Sequence, residues 1–564
     1  MAFCNAMNHY TLNEKKNLSY TVSGSSSEDC VGLVNLYNDA VGKRGKNVTI
    51  ESKIGDLFDF IVNNIKSKSE SEKKVYWKYV VKLLFLIRDH KDGNGERLIF
   101  YTLLIKLYDI YPNIVICSLP YLTGGYNIYK NNETMEDKPF GSFLDLNKLY
   151  EMAHDKFKKD IIYYYLKCIE LDKNESYPSL AVKWAPRENK KQHKMAITLA
   201  QNMRSDDFNE KSDLNKKMRN YRKTLSELSN KMTIIEQLMT QGDWDLIEPK
   251  NIPSRALKKY LYALKNEDKK TGLIRHPNDE KRMILRNKML EELNKSSSDS
   301  RLNVSGLQPY EIVRDVIIGN CQTVSDEENV IALWDKYTYE LKKKMENELE
   351  LKDNLNMIIL ADVSGSMHGT PLESCIALSL LLSDMLNDTW KNKVLTFETN
   401  PQWFNIPDHL NIVNKIKYLQ KAPWSGSTNI GKALDMILKV AVENNLKKSD
   451  MPPKMVIFSD MQFDMVSDNN DSFITGYDML KKKYNSYGYD LPHIIFWNLR
   501  GNTNGYNNTT TQVGTTMLSG FGPASFKSFM SGNFNIDDSP WNTLKNLLES
   551  PRLNMLDEII DKYV

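Results

Sequence analysis

The stretch MIILADVSGSMHGTPLESCIALSLLLSDML, Met357 to Leu386, carries an apolar run that stops at Asp362 and places Ser364 and Ser366 two and four residues beyond it. In an extended turn alternate residues face one side, so a carboxylate and two hydroxyls converge. Further oxygen donors fall in equivalent places: Thr428 in the loop WSGSTNIG ahead of a helical pattern, and Asp460 at the end of the apolar run KMVIFSD. In an open α/β sheet, the loops beyond the carboxyl ends of neighbouring strands meet at the crevice where ligands bind. Hydroxyls and carboxylates without imidazole or thiolate suit a hard cation, and so few carboxylates suit Mg2+ (or Mn2+) better than a calcium cage. The expected metal ligands are therefore Asp362, Ser364, Ser366, Thr428 and Asp460, with Gly365 allowing the tight turn between the serines. A cation held this way keeps coordination open for an acidic side chain of a protein partner.

Other uses of a strand-end acid fit less well. A dehalogenase-type phosphatase wants a second acid at position 364, where this chain has Ser. A Gly-x-Ser-x-Gly nucleophile elbow fails because Asp362 and Ser364 stand two residues ahead of the two serines. Helix capping accounts for the first cluster, yet it leaves Thr428 and Asp460 without a reason. His368 and His493 have no evident nucleophile or acid partner by sequence. No catalytic constellation emerges, so the expectation is no enzyme, with a metal-dependent phosphoesterase as the least favoured alternative.

These clusters need a scaffold, and the pattern supplies one. Short apolar runs alternate with helical stretches from about residue 346 onward, as in LNMIILA, KVLTFET, KMVIFSD, HIIFWNL and TTMLSGF. That order predicts an α/β doubly wound domain, Rossmann-like, with a mainly parallel sheet covered on both faces. From about Lys53 to Lys344 the apolar spacing is helical instead. KVYWKYVVKLLFLIRDH and RLIFYTLLIKLYDIY flank the turn KDGNGE as a helical hairpin, and similar pairs follow around KFKKDIIYYYLKCIEL and YRKTLSELSNKMTIIEQLMT. The expected division is an N-terminal, partly irregular segment 1–52, a helical domain 53–345 and an α/β domain with C-terminal helices 346–564.

A length of 564 residues calls for at least two cores. Hydrophobic residues at 41% and charged residues at 26% describe a globular chain rather than a disordered one. No apolar run approaches the roughly 20 residues that span a bilayer, and the first residues lack a secretory pattern. An intracellular, cytoplasmic location follows, or host cytoplasm or virion if the chain is viral. Six cysteines without CxxC pairs argue against a disulfide framework or a thiolate zinc site. Net charge is +3, with residues 151–300 holding 31 basic against 23 acidic side chains, a mild excess that could meet polyanions.

The segments DVSGSM, SGSTNIGKALD and FSDMQFD resemble the metal-ion-dependent adhesion site (MIDAS) of von Willebrand A domains. The resemblance implies that the serines and Thr428 coordinate the ion directly, that the acids act partly through water, and that one site is left for a partner's carboxylate. LIRDHKDGNGERLIFYTLL is similar to the helical domain of TROVE (Ro-type) proteins, in which HEAT-like repeats bind RNA and a von Willebrand A domain closes the ring. SYPSLAVKWAPREN, LNVSGLQPYEIV and neighbouring segments resemble more specifically an uncharacterised TROVE-like family with that two-part architecture, found in plants, fungi and giant DNA viruses.

On this resemblance the chain would be an RNA-binding scaffold with a metal-dependent protein-interaction domain. Candidate RNA contacts are Arg88, Lys91 and Arg97 around the first hairpin turn, and Lys183, Trp184, Arg187, Lys190 and Lys191 in VKWAPRENKK. Aromatic platforms flanked by Lys and Arg hold single strands without sequence readout. For each residue taken singly, packing or pairing with Asp89, Asp92 or Glu96 is the stronger expectation. The alternative is a purely protein-binding or structural assembly module using the metal site, with no RNA role.

Overall fold

The structure, a computed structural model, describes residues 10–12, 18–20, 31–41, 48–125, 139–203, 213–232, 234–346, 356–397, 401–420, 430–461, 473–501, 513–522 and 539–564. A helical region is followed by a mixed, mostly parallel six-stranded α/β sheet. The chain forms two compact units that do not follow sequence order: residues 1–64 with 243–548, and residues 65–242 with 549–564.

In the first unit, a short hairpin pairs β1 (Tyr10–Leu12) with β2 (Leu18–Tyr20). The main sheet contains β3 (Met357–Asp362), β4 (Lys393–Phe397), β5 (Trp403–Asn405), β6 (Lys454–Ser459), β7 (His493–Asn498) and β8 (Thr515–Ser519), in the order β5-β4-β3-β6-β7-β8. All pairings are parallel except β4 with β5. Five apolar runs picked out by sequence are the parallel strands. The antiparallel edge β5 is three residues long and only partly buried, too short to show a period.

Residues of β3, β6 and β7 are buried throughout, which is why they read as continuous apolar runs. On one face Ile358, Leu360, Met455, Ile457, Ile494 and Phe496 pack with Ile430, Leu434 and Ile437 of helix Ile430–Glu443 and with Tyr484 of helix Phe473–Ser486. Helix Thr370–Ser383 packs on β3, β4 and β6, and its Cys375 Sγ donates to the Phe458 carbonyl at 3.7 Å. That helix is buried on all sides from Glu373 to Ser383 because helix Pro309–Ile317 covers it in turn, with Arg314 Nε 3.3 Å from Glu373.

Helix Val31–Asp39 belongs to this same unit, with all nine residues buried. The last carbonyls of a helix lack partners within it. Here Ser519 Oγ donates to Tyr37 O and Asn498 Nδ2 to Asn38 O, each at 2.7 Å. The sheet therefore caps the helix through β7 and β8.

The second unit is helical. Helices Glu70–Arg88 and Leu98–Ile110 form the hairpin, and a β-carbon on Gly93 in its turn would lie 1.9 Å from the Leu86 carbonyl oxygen. Arg88 is buried and bidentate on Asp145, Nε at 3.1 Å and Nη2 at 2.6 Å. Residues 549–564 close onto it: Arg552 holds Asp89 with two bonds, 2.6 and 2.9 Å, and Lys82 reaches Asp557 at 2.9 Å. Among the described residues no helix is long and apolar enough to cross a membrane, and Cys117, Cys168, Cys321 and Cys375 form no disulfide.

Candidate functional site

Strand order reverses at β3. The chain lays β4 and β5 to one side and returns to lay β6, β7 and β8 on the other. In an open α/β sheet, ligands bind at such a reversal, outside the carboxyl ends of the strands on either side of it. Asp362 ends β3, and Asp460 follows β6 directly. Both side chains are fully buried.

Neighbours fix the Asp362 carboxylate at both oxygens. The Ser364 N–H donates to Oδ1 at 2.9 Å, and Ser459 Oγ donates to Oδ2 at 2.5 Å. Beyond Ser364 the chain enters a single 3-10 turn, Gly365–Met367, which brings the Ser364 and Ser366 hydroxyls to 3.0 Å. Ser364 is half-buried and Ser366 exposed. Burial first, and the charge of Asp460 second, push the Asp362 carboxyl up to about 6, against the opposing bonds from Ser459 and Ser364. Two buried carboxylates that repel one another are relieved by a nearby positive charge. After Asp460, Met461 adopts φ +66°, a left-handed conformation that a β-carbon disfavours. Such strain clusters where a turn is held for function. Its N–H donates to Ser459 Oγ at 3.1 Å.

Arg500 was not legible as a site residue. The Leu499 N–H bonds to the Ser459 carbonyl at 2.9 Å, extending the β6–β7 ladder, and Asn498 Oδ1 accepts from Arg500 N at 2.9 Å. The guanidinium then reaches both strand ends, its Nη1 at 3.2 Å from Asp460 Oδ2 and 3.3 Å from the Ser366 carbonyl. The available signal was positional: a basic residue just past the strand beside β6.

Of the five expected ligands, the structure brings Asp362, Ser364, Ser366 and Asp460 to one end of the β3–β6 seam, and Thr428 lies outside the described residues. The donors are all oxygen, as a hard cation requires. Among the described residues no group of three His, Cys, Asp or Glu could hold a metal ion. The expected set has only two carboxylates, the rest being hydroxyls.

Residues 356–550 match a family described as a domain of unknown function (DUF7788). The chain is also a distant homologue of "Uncharacterized protein L728" of Acanthamoeba polyphaga mimivirus, with 27% identity over 523 residues that cover 89% of this chain and 84% of the viral one. No solved structure matches. The stretch 356–550 takes in all five expected ligands and Arg500.

The candidate RNA contacts are scattered in character. Arg88 is 2% exposed, and burial of Asp145, which alone would raise that carboxyl, is outweighed by the Arg88 charge together with hydrogen bonds from Arg88 and Tyr101, which hold it below its usual value. Lys91 lies 3.7 Å from Asp92, and Lys183 lies 3.2 Å from Glu236 and over the half-buried Trp184 ring. Arg187 donates to the Val182 carbonyl at 3.3 Å, while Arg97, Lys190 and Lys191 are exposed.

A groove that sequence reasoning passed over lies along helix Asp155–Asp172. It holds about 590 Å³, and its lining sets Lys158, Lys159, Lys167 and Lys173 beside Tyr163, Asp155 and Glu170, with Lys158 3.5 Å from Asp155. Tyr163 is 66% exposed, with Lys159 and Lys167 one helical turn to either side of it.

Proposed function

We propose that the α/β unit is a von Willebrand A-type module that binds Mg2+ or Mn2+ and captures a carboxylate of a protein partner, making the chain a non-catalytic binding protein. Two fully buried carboxylates at the β3 and β6 ends, with the paired Ser364 and Ser366 hydroxyls just beyond Asp362, carry this reading. Asp362, Ser364, Ser366 and Asp460, with Thr428 as the fifth ligand expected from sequence, would hold the ion. When bound, the ion supplies a positive centre for the partner's acid. The chain's own part is to orient Asp362 through Ser364 N–H and Ser459 and to keep Asp460 dry. Helix capping by Asp362 and the serines accounts for neither the second buried acid nor its place beside the first; Arg500 partners Asp460 but leaves Asp362 to its hydrogen bonds alone.

Calorimetric titration of the full chain with Mn2+ tests the reading. Asp362→Ala and Thr428→Ala should each abolish binding with the fold intact by circular dichroism. Equal affinity in parent and both variants would remove it.

A second reading, polyanion binding by the helical unit with its TROVE-like, HEAT-like character, is favoured by the groove along helix Asp155–Asp172. Lysines flanking an exposed tyrosine combine charge with a stacking surface. RNA affinity that falls steeply with salt, with a shallower slope in Lys159→Ala/Lys167→Ala, would support it. The same slope in that variant would reject the groove.

A further inference from the structure

The feature that the metal reading leaves over is the arginine already at the cradle. Arg500 Nη1 contacts Asp460 Oδ2, from the loop after β6, and the Ser366 carbonyl, from the loop after β3. It therefore spans the same two segments that a shared ion would join. Its backbone is fixed on both sides. Leu499 N–H is bonded to Ser459 O, and a β-carbon on Gly501 would fall 1.9 Å from the Val41 carbonyl oxygen, so the loop is pressed against the chain that leaves helix Val31–Asp39. The guanidinium, with the side chain 20% exposed, retains a path to solvent.

Charge decides what this placement does. Asp362 and Asp460 bring two buried negative charges to the ends of adjacent strands, and a guanidinium hydrogen-bonded to a carboxylate is a strong, charge-assisted pair. A divalent ion entering the same space meets a positive charge at short range in a medium of low dielectric. Both cations cannot take up Asp460 without repelling one another.

We propose, resting on the divalent-cation reading above, that Arg500 is a built-in competitor for that ion: its guanidinium neutralises Asp460 when no ion is held, and withdraws by side-chain rotation as the ion binds. The site's affinity is thereby set lower than its ligands alone would give. An arginine that merely oriented Asp460 as a ligand would have the opposite effect, since removing it would weaken the ion's hold.

The test uses the full chain near neutral pH and fixed ionic strength, titrated calorimetrically with Mn2+. Arg500→Gln should bind about tenfold more tightly than the parent, the difference expected from losing one charge-assisted hydrogen bond to the competing group. Arg500→Lys, which keeps the charge, should stay within about threefold of the parent. In EDTA the thermal midpoint of Arg500→Gln should fall below that of the parent, and Mn2+ should raise it by more. Unchanged or weaker Mn2+ binding by Arg500→Gln, with binding still lost in Asp362→Ala, overturns the competition while leaving the metal reading in place. Binding indifferent to Asp362→Ala overturns both.

Discussion

Ser459 donates its hydroxyl to Oδ2 of Asp362 at 2.5 Å, across the seam where β6 runs beside β3. The bond opposes the burial and the Asp460 charge that raise the Asp362 carboxyl. Ser459→Ala leaves a buried carboxylate oxygen short of a donor, a loss of roughly 1–3 kcal/mol for the ionised form. In that variant the pH at which Mn2+ binding sets in should move upward, and affinity near neutral pH should drop by up to about tenfold. Calorimetry across a pH series reads both. A midpoint that does not move would make Ser459 a packing residue.

Asp362→Asn separates function from stability. The amide keeps the shape but removes one of two buried charges that repel each other. Ion binding should be lost, yet in EDTA above about pH 6 the variant should melt no lower than the parent, and by this argument higher. A clear fall in its midpoint would mean that the ionised Asp362 is a net stabiliser of the fold.

The same carboxyl sets a pH dependence. In the folded chain it stands at about 6, above the value of about 3.9 for an unfolded aspartate. Between those values the folded state holds a proton that the unfolded state has released. This group's contribution is therefore complete below about pH 4, is lost as pH rises toward 6, and is constant above. Ion binding needs the ionised form, so Mn2+ affinity should climb through the same window and then level off. The difference between parent and Asp362→Asn melting curves over pH isolates the effect. A flat difference would contradict it.

The acid and serines were legible because a strand's apolar run ends where its polar residues begin, and the fold places such ends together. Strand identities followed from short apolar runs alternating with helical stretches, the pattern of strands buried on both faces. What was not legible came from pairings between distant segments without a shared motif. Arg500 finds Asp460, and Asn498 and Ser519 cap a helix some 460 and 480 residues earlier in the chain. Arg552 likewise claims Asp89 from the chain's far end. Arg88, grouped by sequence with a basic surface, is instead buried against Asp145, a carboxylate 57 residues away that no local pattern marks.

That pair gives a control for the polyanion reading. Arg88→Ala strands the buried Asp145 carboxylate and should cost roughly 3–5 kcal/mol, enough to lower the melting transition of the helical unit markedly. Lys159→Ala/Lys167→Ala removes two exposed charges that have no carboxylate partner among the described residues, and should leave that transition within about 0.5 kcal/mol of the parent. Thermal melts and salt-dependent RNA titrations on the two variants distinguish a residue that holds the fold from residues that face a ligand. An Arg88→Ala chain of parental stability would return Arg88 to the list of surface candidates.

Gly501 supplies the last prediction. A β-carbon there would meet the Val41 carbonyl oxygen at 1.9 Å and the Asp39 carbonyl oxygen at 3.1 Å. These are backbone atoms, so relief requires moving the loop or the end of helix Val31–Asp39. Either movement stretches the 2.7 Å bond from Asn498 Nδ2 to Asn38 O and disturbs the caps that hold the helix on β7 and β8. Gly501→Ala should therefore cost about 1–3 kcal/mol, as overpacking does. Hydrogen exchange should show faster exchange of the amides in residues 31–41, while those of β3 and β6 keep their protection. Since the same loop carries Arg500, its contact with Asp460 should loosen as well, and Mn2+ binding by Gly501→Ala should shift toward that of Arg500→Gln. Parental protection across residues 31–41 would show that this helix does not depend on the loop for its place.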